Sequence, residues 1–193
     1  MNWLHRYLCR SRSWRKTVQE RVPWVLAGFE LGPDVLEIGP GPGLTTDLLR
    51  HSVERLTAIE LDSKLADSLR SRFRGSNVEI VAGDATAMRF PDTRFSGVVS
   101  FTMLHHVPSV DLQDQLLREV CRVLKPGGFF LGIDSMQSFL MRIIHIGDTL
   151  VPIDPNGFAA RLESAGFEAA EIAKNADAFR FSARRPQQIE VLN

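Results

Sequence analysis

Three glycines, Gly39, Gly41 and Gly43, alternate with Pro40 and Pro42 in the stretch "DVLEIGPGPGLTT", with Glu37 just ahead of them and Thr45 and Thr46 just behind. Without a Cβ such positions accept positive φ and let a ligand approach the backbone, and the free N–H groups of a following helix face the same place. The spacing is GxGxG. The usual dinucleotide fingerprint GxGxxG would put its third glycine where Leu44 stands. A carboxylate at Glu37 favours a cationic ligand and opposes a pyrophosphate. Glu60 lies about 20 residues further on, where an acid accepts hydrogen bonds from both hydroxyls of a ribose. A ribose together with a cationic group describes an aminoacyl nucleoside.

The elements that must position these residues are legible as periodicity. Strand-length apolar runs occur at 34–38, 55–60, 77–82, 96–101 and 128–134. Between them lie helical patterns, Leu44, Leu48 and Leu49, then Leu65, Leu69 and Phe73, then Leu112, Leu116, Leu117, Val120, Val123 and Leu124. Strands alternating with crossover helices predict an α/β fold with a parallel sheet, and near-continuous apolar runs such as "GVVSF" predict strands buried on both faces. The end of the chain changes rhythm. A helix over 157–166 is followed by "FEAAEIAK" and "AFRFSARR", separated only by "NAD", so these two runs must form an antiparallel hairpin. "LKPGG" at 124–128 reads as the end of a helix turning into the fifth strand.

With 193 residues the chain suits a single domain over 1–193. Lys plus Arg and Asp plus Glu are each 23, so no global charge draws it to nucleic acid. Cys9 and Cys121 belong to no CxxC or Cys/His cluster; neither a disulfide framework nor a metal site is expected, and a reducing cytoplasm is the default. The apolar stretch after the middle is interrupted by Arg142, His145 and Asp148, which excludes it as a membrane span. The first 22 residues carry six basic side chains against the single acid Glu20, with Trp3, Leu4, Tyr7, Leu8, Trp14 and Val18 at helical spacing. Because Pro23, Trp24 and Val25 run almost directly into the first strand, this segment is read as a retained cap helix within 1–30 rather than a removed targeting peptide.

The segments "VLEIGPGPG", "AIELD", "GDATAMRFPDTRFSGVVSFTMLHHV" and "RVLKPGGFFLGID" resemble the class I S-adenosylmethionine-dependent methyltransferases, most closely their small-molecule, ubiquinone-biosynthesis-like (type 11) branch. The resemblance covers most of Val35 to Asp134. It implies a Rossmann-like, mostly parallel sheet of seven strands in order 3-2-1-4-5-7-6, the last antiparallel, with helices on both faces. It also implies S-adenosyl-L-methionine as cofactor and S-adenosyl-L-homocysteine as product. Carried over by position, Glu37 and the backbone of Gly39 and Gly41 hold the methionyl part, and Glu60 takes the ribose. Leu61 packs on the adenine, Asp84 and the N–H of Ala85 bond it, and Phe101 faces the transferred methyl. The family's usual Phe-Asp before the fourth strand is Phe95-Ser96 here, a departure at a position that is chiefly structural.

Methyl transfer needs alignment above all, and a base only when the acceptor must lose a proton. His105, His106 and Asp134, at the carboxyl ends of strands four and five, are the candidates for that base. "LHHV" also reads simply as a turn. The cap helix and the insert at 135–156, with Met136, Phe139, Leu140, Met141, Ile143 and Ile144, predict an apolar acceptor pocket and a hydrophobic small molecule. Nucleic acid is disfavoured, because Ser100-Phe101-Thr102-Met103 replaces the Asn/Asp-Pro-Pro-aromatic motif of adenine-amino methyltransferases. Two other classes fit less well: a non-catalytic cofactor-binding protein, and an NAD-dependent oxidoreductase, which lacks its GxxG spacing.

Overall fold

The computed structural model describes residues 11–137, 143 and 147–187. Chain order begins with α1 (Arg12–Leu26), β1 (Asp34–Ile38), α2 (Leu44–Leu49), β2 (Arg55–Glu60), α3 (Ser63–Arg72) and β3 (Val78–Ala82). It continues with β4 (Phe95–Phe101), a 3-10 turn (Leu104–His106), α4 (Val110–Val123), β5 (Leu124–Ser135), α5 (Phe158–Ser164), β6 (Glu168–Lys174) and β7 (Ala178–Arg184). The seven strands form one sheet in the order β3-β2-β1-β4-β5-β7-β6. All pairings from β3 to β5 are parallel, and β7 runs antiparallel to both β5 and β6, as the short "NAD" connection requires.

Burial on both faces is written in the strands. All five residues of β1 are buried, and successive side chains go to opposite cores. Leu36, Val98 and Phe130 pack in one cluster with Leu116 and Val120 of α4 and Phe158 and Leu162 of α5. Val35, Val99 and Leu131 pack in the other with Val18, Val22 and Val25 of α1 and Leu49 of α2. Each fully buried aliphatic or aromatic side chain stabilises the fold by roughly 1.5–3 kcal/mol. A third cluster, around Ala58, Leu65, Ala66 and Leu69, seats α3.

Three of the helices, α1, α3 and α4, start at a capping side chain. Ser11 accepts from the Trp14 N–H at α1, Asp62 from the Lys64 and Leu65 N–H groups at α3, and Ser109 from the Leu112 N–H at α4. The preceding helix does end at "LKPGG", α4 stopping at Val123, but the start of the fifth strand needs correction: β5 already begins at Leu124, opposite Phe95 of β4, and the register then jumps so that Gly97 pairs with Phe129. The segment is a bulge within the strand pairing rather than a separate turn before it. Of the cap helix, residues 1–10 lie outside the described residues, as do Phe139, Leu140, Met141 and Ile144 of the insert. No helix among the described residues is long and apolar enough to cross a membrane.

Candidate active site

A cavity of about 770 Å³ opens at the carboxyl ends of β1, β2, β4 and β5. This is the crevice where an open α/β sheet binds its ligands, at the strand where the order reverses. The β1–α2 turn forms its floor. Gly39 and Gly41 both adopt positive φ, 64° and 55°, and the Gly39 N–H is tied to the Ile59 carbonyl at 2.9 Å. A Cβ on Gly39 would sit 2.2 Å from Met103 Cγ, whereas a Cβ on Gly41 would meet nothing within 4 Å. The first glycine makes room for a protein side chain, and the second leaves space open at the cavity.

Glu60 ends β2 at the cavity wall, and its carboxylate accepts from the Gly41 N–H at 3.2 Å and the Asp62 N–H at 3.0 Å. Desolvation raises its pKa, partly offset by those two backbone donors. Leu61 beside it is 72% exposed, a large apolar face turned to the cavity. Asp84 and Ala85 line the same end; Asp84 Oδ1 also accepts from the N–H and hydroxyl of Thr86, both at 2.8 Å, holding the turn that presents them.

Glu37 is placed differently from these. It is 1% exposed and does not line the cavity; its carboxylate accepts from the hydroxyls of Thr45 and, at 2.6 Å, Thr46, at the start of α2. Thr45 does line the cavity, so it stands between Glu37 and any ligand. Burial pushes the Glu37 carboxyl up to about 7; the two threonine hydroxyls pull against that shift and nearby Glu60 adds to it.

Phe101, Met103, Val107, Leu112, Leu116 and Met136 give the cavity apolar walls. His105 is also part of its lining and pairs with Asp134; the two are 29 residues apart in sequence and 3% and 1% exposed. His105 Nδ1 is 2.5 Å from Asp134 Oδ1, and the His105 N–H donates to Oδ2 at 3.3 Å. An ionised carboxylate only accepts, so Nδ1 carries the proton of the neutral ring and the basic lone pair is on Nε2. His106 also lines the cavity; its ring lies 4.3 Å from that of His105, and its Nδ1 stands 3.3 Å from the Thr149 carbonyl oxygen. Thr102, between Phe101 and this pair, has φ 51°, a conformation that costs a β-branched residue about 1–2 kcal/mol. Its N–H holds the Ile133 carbonyl at 2.7 Å, locking the β4 end against β5.

Sequence reasoning missed Arg21, which lines the cavity from α1. The signal was present: Arg21 follows Trp14 by seven residues and Val18 by three, on the helix stripe that faces the protein. Among the described residues, no group of three or more His, Cys, Asp or Glu side chains is arranged to hold a metal ion.

Comparison with known proteins agrees with this architecture. A methyltransferase domain family matches residues 36–132. The fatty-acid O-methyltransferase of Mycolicibacterium smegmatis is 36% identical over 110 residues, 56% of this chain and 39% of that protein. A probable ribosomal RNA small subunit methyltransferase A of Thermococcus onnurineus is 47% identical over 66 residues, 34% of this chain and 24% of that protein. The chain therefore spans well under half the length of these relatives. Among solved structures, the N-methyltransferase NodS of Bradyrhizobium japonicum, in complex with S-adenosyl-L-homocysteine, superposes with a TM-score of 0.71 at 18% identity, covering 94% of this chain and 91% of that one. The matched half of the chain, its strand order and the glycine-floored cavity together make it a member of the methyltransferase domain family, in the type 11 branch of the class I S-adenosylmethionine-dependent methyltransferases.

Proposed function

We propose that the chain transfers a methyl group from S-adenosyl-L-methionine to an oxygen, carbon or nitrogen atom of a hydrophobic small molecule. The observation that carries this reading is one continuous cavity at the strand ends, lined by the carboxylates Glu60 and Asp84, the exposed Leu61, apolar walls and His105 of a buried His–Asp pair. The residues at and just after the ends of β1, β2 and β3 fit the cofactor. Glu60 has the position and the acceptor oxygens for a ribose diol, and Leu61 offers an uncovered apolar face for adenine, with Asp84 and the Ala85 N–H at its edge. Open space over Gly41 leaves room for the methionyl part, whose cationic groups Glu60, and Glu37 through Thr45, favour electrostatically.

When bound, S-adenosyl-L-methionine would supply a sulfonium-activated methyl, with S-adenosyl-L-homocysteine as the leaving group once the acceptor has taken that methyl. The protein's part is alignment, worth effective molarities on the order of 10⁵ M or more. Phe101 and Met103 wall the acceptor toward the cofactor. For an acceptor that must lose a proton, His105, its tautomer held by Asp134, would serve as the base in the cavity wall. His106, half-exposed and beside it, shapes the wall.

The fatty-acid O-methyltransferase relative supports an apolar acceptor. The ribosomal RNA methyltransferase relatives share a shorter segment, and the fourth-strand motif of adenine-amino methyltransferases is replaced by Ser100-Phe101-Thr102-Met103. A thermal-shift comparison of S-adenosyl-L-methionine, S-adenosyl-L-homocysteine and NAD tests the cofactor assignment, with stabilisation by the first two expected; stabilisation by NAD alone sinks it. S-adenosyl-L-homocysteine release across lipophilic phenols, quinones and fatty acids then identifies the acceptor.

A further inference from the structure

Among the described residues that line the cavity, Arg21 is the one lysine or arginine, set against Glu60, Asp62, Asp84, Asp148 and Asp177. Its guanidinium is half-buried, with Arg21 Cζ 5.8 Å from the Trp14 ring centroid. Desolvation by burial lowers its pKa, against the pull of Asp177 and Asp134, and an arginine still stays charged there. Neither acid comes close enough for an ion pair with it. Asp134 is occupied by His105 Nδ1 and by the N–H groups of His105 and Ser135, and Asp177 is exposed. Among the described residues no acceptor takes any of the five N–H donors of Arg21. A half-buried cation with unmet donors in a cavity wall is a receptor for an anion.

The helix that carries Arg21 is fixed in place rather than loosely laid on the sheet. Val18, Val22 and Val25 are buried beneath it, and Arg180 of β7 donates to the Trp24 carbonyl at 2.7 Å. The acids whose charge acts on Arg21 are Asp134 at the end of β5 and Asp177 in the β6–β7 hairpin, two or more strands from the β1 turn that floors the cavity. Resting on the reading of the site given above, we infer that the acceptor is an amphipathic carboxylate, and that Arg21 binds its carboxylate while the apolar walls take its hydrocarbon part. In a cavity otherwise lined with acids, this side chain decides both that an anion is admitted and where it sits.

The inference is tested by calorimetry on the complex with S-adenosyl-L-homocysteine, using decanoate and 3-phenylpropanoate against 1-decanol and 3-phenylpropanol. Expected is that the carboxylates bind, that Arg21→Gln weakens them tenfold or more, and that Arg21→Lys recovers part of the loss. The alcohols, and the affinity for S-adenosyl-L-homocysteine, should change less than twofold, which also certifies the fold of the variants. The inference is overturned if neither carboxylate binds the wild-type complex, or if both bind Arg21→Gln unchanged. It is equally overturned if both variants lose S-adenosyl-L-homocysteine while decarboxylated S-adenosylmethionine binds wild type and variants alike, for then the cofactor's own carboxylate sits on Arg21. Failure of the methyltransferase reading looks different: the wild-type protein would bind no cofactor at all.

Discussion

His105 Nδ1 lies 2.5 Å from Asp134 Oδ1, joining the turn after β4 to the end of β5 by a buried hydrogen bond at the wall of the cavity. Through it the carboxylate sets which ring nitrogen is basic. Replacing His105 by Gln is expected to lower kcat by about a hundredfold or more for an acceptor that must lose a proton, with little change in cofactor affinity. Asp134→Asn is expected to do the same and to lower stability by about 2 kcal/mol, some 4–8 °C in Tm for a chain of this size. His106→Ala serves as the control and should stay within a few-fold of wild type; a loss as large as that of His105→Gln would move the role to His106.

Glu37 makes both stability and cofactor binding depend on pH. Its carboxyl titrates near 7 in the folded protein against an ordinary value of 4.5. Between those values the folded state keeps a proton that the unfolded chain has released. Stability should therefore fall as pH rises from 4.5 to 7, by about 3 kcal/mol in total from this group, and level off above. A cationic cofactor favours the ionised form, so S-adenosyl-L-methionine should bind more tightly as pH rises from 6 to 8, releasing protons that calorimetry in buffers of different ionisation enthalpy detects. Glu37→Gln should flatten both dependences.

The two glycines of the floor are expected to fail in different ways. Gly41→Ala meets open space and loses only the ease of its positive φ, about 1–2 kcal/mol, so the protein should fold but bind S-adenosyl-L-homocysteine poorly. Gly39→Ala drives a methyl group into Met103 and should lower Tm further, an effect that Met103→Ala partly relieves. Equal Tm values for the two single variants would contradict the close approach.

Glu60→Ala should weaken S-adenosyl-L-homocysteine by roughly ten- to a hundredfold, the range of one or two charge-assisted hydrogen bonds. Leu61→Ala should weaken it too while leaving the Tm of the cofactor-free protein unchanged, because a side chain 72% exposed contributes little to the core. Unchanged cofactor affinity in both would remove the ribose and adenine assignments.

Much of the site was readable from local pattern. A run of apolar residues ending in GxGxG marks a strand followed by a bare turn wherever it folds, and Glu60 and Leu61 reach the cavity because they end the neighbouring strand. The bulge at "LKPGG" was not readable, since it depends on pairing with Phe95 and Gly97 more than 25 residues away. Nor was the position of Glu37. Its place in the sequence puts it at the end of β1, but only the packing of α2 interposes Thr45 between its carboxylate and the cavity.

By itself, then, the sequence determined the alternation of strands and helices, the antiparallel hairpin at the end and the kind of ligand that the glycine turn admits. Each of these follows from periodicities and backbone preferences that act within a few residues. Tertiary structure alone decided that His105 pairs with Asp134, that Met103 fills the space over Gly39, and that Arg21 of the first helix reaches the cavity. The first two contacts join segments 29 and 64 residues apart, and Arg21 faces a cavity whose lining extends as far along the chain as Asp177; all three depend on burial, which exists only once the sheet has brought its strand ends together.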